Sequence, residues 1–205
     1  MKTLFNSVKN SSLVAMIVVA TLFSVNASAA MVNADKGSGR TDIKKVVVTG
    51  NANVVLIQGG DETVKMEEAD LSKVSLKQIG GTLTISSTEI SPVTVTVYVK
   101  DIYRIDASGK ASVQTLGKFN VKNLQVLLKD NATARVKATT ESLYTVIDDH
   151  AKLELIGKSA NHVSKLAGLA KLDTDKFAAL TTENVPTFAS IATSGSGKQA
   201  IVLNK

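Results

Sequence analysis

Four segments of this chain repeat one pattern in register, and a repeat constrains architecture more tightly than any local propensity. They are Tyr103–Val113, Leu124–Ala134, Leu143–Leu153 and His162–Leu172. Aligned, they put Ala111, Ala132, Ala151 and Ala170 in one column, at spacings of 21, 19 and 19 residues. Two positions before each alanine stands Gly109, Asp130, Asp149 or Gly168, a turn former in every case. Two positions after it come Val113, Ala134, Leu153 and Leu172. A fifth, shorter copy is Ile191–Gly197, followed by a closing strand at Ala200–Leu203.

A unit of about 20 residues can hold two or three short strands separated by sharp turns. Stacking such units puts equivalent residues above one another, so a column of alanine marks a narrow corner. The spacing therefore predicts a β-solenoid in which each coil buries its apolar face against its neighbours. Residues 160–182 carry a rival reading. They are rich in Ala, Leu and Lys, and Val163, Leu166, Leu169, Ala170 and Leu172 could form a helical stripe. Their register with the three preceding segments favours strand.

Upstream of the repeats the pattern is also strand-like. Lys45–Thr49 and Asn53–Gln58 flank a turn signal at Gly50-Asn51. Thr63–Glu68, Val74–Gln78 and Thr82–Ser86 alternate apolar and polar residues, and Gly80-Gly81 joins the last two as a hairpin turn. Val93–Val99 has the cleanest period of two in the chain. Composition agrees with layered β-structure: 44% of residues are hydrophobic but only 4% aromatic, so aliphatic side chains supply the core.

Residues 1–29 read as a signal peptide. Lys2 and Lys9 give a positive start, Leu13–Phe23 an apolar run, and Ala27-Ser28-Ala29 a small-x-small site, with cleavage between Ala29 and Ala30. The apolar run is shorter than the roughly 20 residues that span a bilayer. No second run follows, so no transmembrane segment is expected after cleavage. Residues 30–42 read as a flexible leader and 43–205 as a single domain. Export to the periplasm, cell surface or medium follows.

With Lys2 and Lys9 removed, the 24 basic residues fall to 22 against 18 acidic, an excess of +4. The lysines are dispersed and the arginines are only Arg40, Arg104 and Arg135, which is not the footprint of a nucleic-acid binder. The chain has no cysteine, which excludes disulfides, thiolate metal sites and a thiol nucleophile.

Two clusters invite a chemical reading. Asp148-Asp149-His150 combines two carboxylates with one of two histidines. A metal site needs three or four converging ligands, and the aligned repeats put Lys110, Asn131 and Leu169 beside His150. His162, aligned with Tyr103, Leu124 and Leu143, reads as an inward structural residue. Asp173 and Asp175 with Lys176 resemble the acidic and basic groups of polysaccharide lyases, but no second acidic column joins them. No catalytic residue, metal or cofactor is expected.

From about Val46 to the C-terminus the chain resembles an exported bacterial family, the auto-transporter adhesin head or GIN domain. The likeness rests on Gly50–Gly59 with its Gln-Gly ending, on Gly81–Ile85 and on Val95–Val99. A recurring Ser-Gly-Ala-Ser turn survives in part at Ser108–Ser112 and Ser194–Gly197. The resemblance implies a β-helix at the surface of a Gram-negative cell and no established catalytic residues. The combined expectation is an all-β, right-handed parallel β-helix with coils of about 20 residues, preceded by irregular strands and hairpins. Its function is expected to be non-enzymatic binding of a cell-surface glycan or protein, with Lys129, Lys152 and Lys171 as candidate contacts. The rival functions are a structural, self-associating envelope protein and, third, a polysaccharide-acting enzyme.

Overall fold

The computed structural model describes residues 29–32 and 41–186. The charged start and apolar run of the expected signal, most of the expected leader, the expected fifth copy and Ala200–Leu203 lie outside the described residues. In chain order the strands are β1 (Ala29–Val32), β2 (Lys45–Gly50), β3 (Ala52–Gln58), β4 (Thr63–Glu67) and β5 (Ser75–Ile79). Then come β6 (Thr82–Ser87), β7 (Val93–Val99), β8 (Arg104–Gly109), β9 (Ser112–Leu116) and β10 (Asn123–Leu128). Three long strands follow: β11 (Thr133–Ile147), β12 (Lys152–Leu166) and β13 (Lys171–Pro186). A single 3-10 turn spans Glu68–Asp70. Residues 160–182 thus lie almost wholly in strands, and the helical reading fails.

All the strands belong to one mixed sheet, curled into a half-barrel. Its curvature comes from β11, which serves two limbs at once. Thr133–Arg135 pair with β9, whereas Ser142–Ile147 pair with β10. One limb runs β9-β3-β7-β4-β1 and the other β10-β8-β2-β6-β5, while β12 and β13 extend the sheet beyond β11. Alternate residues of both limbs face a common core. Val46, Val48, Ile105 and Val126 supply one side and Val54, Leu56, Val95 and Val97 the other, all 0% exposed.

This corrects the expected right-handed parallel β-helix. A solenoid adds each coil to the end of the stack. Here β2 lies between β6 and β8, and β3 between β7 and β9, so the first strand pair sits inside the stack. Three strand pairs are also antiparallel: β1 and β7 flank β4 in that sense, and β5 pairs β6 through the Gly80-Gly81 hairpin. The physical reason lies in what a repeat can report. Spacing says which residues become neighbours across a parallel pair, and β11 and β12 do pair residues 19 apart, Thr133 with Lys152 onward. It does not say on which side an earlier strand joins.

The turns linking the two limbs share one backbone conformation. Gly50, Gly109, Asp130, Asp149 and Gly168 all have positive φ, between 58° and 79°. Glycine enters this region freely, and aspartate is among the few others that tolerate it. Each aspartate also bonds the neighbouring turn. The Gly109 N–H donates to Asp130 Oδ2 at 2.9 Å, and the Asp130 N–H to Asp149 Oδ2 at 3.1 Å. A second lock is Gln58, whose amide donates to the carbonyls of Lys100 and Asn120 and accepts the Asn120 N–H.

Candidate functional site

The outward residues of β9, β11 and β12–β13 form regular columns, because parallel pairing in register puts equivalent side chains about 4.8 Å apart. One column reads Asn53, Ser112, Thr133, Lys152 and Lys171. Its neighbour reads Val55, Gln114, Arg135, Glu154 and Asp173. From Ser112 and Gln114 onward they line a shallow cleft of about 830 Å³. In the second column Arg135 pairs with Glu154 at 3.4 Å, and Lys176 reaches the same carboxylate at 3.8 Å. The lysines of the first column have no such partner. Lys152 and Lys171 are exposed, stand directly opposite one another, and have no ion pair among the described residues.

Of the three lysines singled out from the sequence, the fold brings together these two. Lys129 directly follows β10, before the turn, and its N–H donates to the Ala107 carbonyl. It lines a separate groove on the other limb with Arg104, Asp106 and Asp148. Its place before Asp130, where the other two follow their turns, is the signal that separates it.

Ala111, Ala132 and Ala151 are each 0% exposed, and Ala170 is partly buried against the core. The Ala132 and Ala151 N–H groups close tight turns onto the carbonyls of Lys129 and Asp148. Ala29 and Ala30 lie in β1, opposite Glu67 and Met66.

The two chemical clusters resolve into structure. Asp149 receives the Asp130 N–H, and the His150 N–H donates to the Asp130 carbonyl, so both belong to the turn ladder. Asp173 Oδ1 accepts the Asp175 N–H at 2.9 Å, and Lys176 turns to Glu154. Among the described residues no three His, Asp or Glu side chains gather to hold a metal.

A second constellation lies on the inward side. Leu124, Leu143, His162 and Thr182 stack in one column, and Val126, Thr145, Ser164 and Asn184 in the next. Both turn from aliphatic to polar toward β13. His162, 3% exposed, shares a 3.1 Å hydrogen bond between Nε2 and Thr145 Oγ1 and meets Phe177 edge-on at 5.3 Å. The Ser164 hydroxyl donates to Asn184 Oδ1. Alignment of Ser164 and Thr145 with Val126 was the available signal for this group.

Burial holds the His162 imidazole below its ordinary value of 6.5. The sign follows from linkage. As pH falls below 6.5 the unfolded imidazole takes up a proton before the folded one does, so the unfolded state gains. Stability from this group is complete above 6.5 and declines below it. Melting curves should therefore fall between pH 7.5 and pH 5, and His162→Gln should flatten that dependence. An equal slope in the variant would contradict the assignment.

Among the described residues no helix is long and apolar enough to cross a membrane, which leaves strands out of account. No curated protein matches the sequence. Three solved structures share the fold at low identity. A "putative adhesin" from Bacteroides fragilis NCTC 9343 is 12% identical, with a TM-score of 0.59 over 72% of this chain and 74% of that one. A "putative lipid binding protein" from Parabacteroides distasonis ATCC 8503 is 14% identical, with a TM-score of 0.51 over 72% and 75%. A "putative adhesin" from the same organism is 12% identical, with a TM-score of 0.52 over 71% and 74%. The family model described as "Putative auto-transporter adhesin, head GIN domain" matches residues 42–202, and the chain belongs to that family.

Proposed function

We propose that this chain is an exported, non-enzymatic envelope protein that holds anionic polymers of a cell surface or matrix against the outer face of β11–β13. Family membership supports the adhesin-like part of this reading. The observation that carries the ligand class is the Lys152–Lys171 pair. Like charges directly opposite on neighbouring strands are destabilising. Other lysines, such as Lys45 with Asp106 at 2.7 Å, are neutralised within the fold. The pair is left to be neutralised from outside, and Ser112 and Thr133 extend it as a track of hydroxyls. Regular spacing along such a track suits a repeating polymer better than a single small anion.

The test is binding of the full chain to immobilised polygalacturonate and to a neutral polysaccharide of similar length. Lys152→Glu with Lys171→Glu is expected to weaken polygalacturonate binding by about tenfold or more while melting is unchanged. Lys129→Glu, on the other limb, should have a much smaller effect. Equal binding by wild type and the double variant would sink the proposal.

A further inference from the structure

The inward polar columns end in a cleft of about 580 Å³ at β12 and β13, within the size range of small-molecule sites. Polar residues on the core-facing side of a sheet are the informative exception to burial. They are not scattered here. Val126 gives way to Thr145, Ser164 and Asn184, and Leu143 to His162 and Thr182, in consecutive strands. An aliphatic column would have continued the packing of Val126 and Leu143 onto β13, the last strand among the described residues. Ser164, one strand in from that end, is 0% exposed, and His162 beside it is 3% exposed.

We propose that this cleft binds an uncharged sugar residue through His162, Thr182 and Asn184, at a site separate from the lysine face. Three features select that ligand class. First, among the described residues no Lys, Arg, Asp or Glu lines the cleft to neutralise a charged group. Second, hydrogen-bonding capacity is left over. His162 engages one ring nitrogen with Thr145, and Asn184 uses its oxygen for Ser164. The other ring nitrogen and the Asn184 amide nitrogen have no hydrogen bond among the described residues, and Thr182 adds a hydroxyl to the lining. Third, Leu166 and Phe177 supply an apolar wall. A pyranose presents hydroxyls at its rim and C–H groups on its face, which matches both. An acyl chain would fill the apolar wall but strand the imidazole, amide and hydroxyl away from water, which is unfavourable.

Ligand-detected NMR on the full chain tests this with methyl glucoside, N-acetylglucosamine and decanoate as probes. A neutral sugar should bind saturably and shift the His162 ring resonances of the wild type. Thr182→Val with Asn184→Ala should weaken that binding about tenfold, since two neutral hydrogen bonds are lost. Asn184 also accepts the fully buried Ser164 hydroxyl, so the double variant should melt lower, whereas exposed Thr182→Val alone should weaken binding with melting unchanged. Lys152→Glu with Lys171→Glu should leave sugar binding intact, which separates this site from the anionic one. Absence of saturable sugar binding, unmoved His162 resonances, or decanoate binding in place of the sugars would each overturn the proposal. Should Thr182→Val also melt early, the His162 resonances of the wild type still decide.

Discussion

Gly50→Ala is expected to destabilise the protein by more than about 3 kcal/mol, enough to unfold many domains of this size at physiological temperature. Gly50 has a φ of +79°, where any residue with a Cβ is strained. Space is the larger difficulty. A Cβ there would overlap the backbone carbonyl oxygen of Ser87, which accepts the Asn51 N–H at 2.9 Å. Backbone cannot rotate away as a side chain can. The substitution therefore strikes where β2 pairs β6 and where the two limbs join. Gly80→Ala is the control, because Gly80 also has positive φ but no atom lies near its missing Cβ. It should lower stability by only about 1 kcal/mol. Thermal melts of the two variants check the contrast, and equal losses would show that the close approach at Ser87 is unimportant.

Ala151→Leu should lower stability by about 1–3 kcal/mol or more, and Ala132→Leu by a similar amount. Both alanines are fully buried immediately after a tight turn, where the strand enters the core. Their N–H groups close those turns, so the backbone cannot retreat to admit three more carbons without breaking a hydrogen bond. Neighbouring strands press from either side: Thr133 donates to the Ala111 carbonyl and Lys152 to the Ala132 carbonyl. Ala170→Leu, at the partly buried member of the series, should be the mildest of the three. Denaturant titration provides the ranking. Unchanged midpoints for Ala132→Leu and Ala151→Leu would remove the tight-corner account.

Much of the backbone was legible because particular residues leave few options. Asp130 and Asp149, flagged as turn formers beside Gly109 and Gly168, occupy the left-handed conformation that aspartate and glycine accept. Gly80-Gly81 turns the β5–β6 hairpin. The strand order was not legible. The valine run Val46–Val48 and the alternating Ile105-Asp106-Ala107 both identify strands with a buried face without naming the neighbour. Placement of β2 between β6 and β8 therefore came only with the structure, and with it the loss of the β-helix reading. The same limit applied to the surface. Proximity to a shared turn suggested that Lys129 joins Lys152 and Lys171, but the chain changes limb at that turn. His162 was read as inward from its alignment with Leu143, and it is buried. Its partnership with Thr145 was missed because alignment places residues within one column and does not say which side chains touch across neighbouring columns.

The most direct measurement is the affinity of the full chain for polygalacturonate as salt is raised from about 0.01 to about 0.15 M. Over that range the Debye length shrinks from about 30 to about 8 Å. Attraction through the unpaired Lys152 and Lys171 should weaken steeply, and the Lys152→Glu, Lys171→Glu variant should bind poorly throughout with little remaining salt dependence. Binding that is insensitive to salt, or a salt response that the double variant retains in full, would contradict the assignment of this face to an anionic polymer.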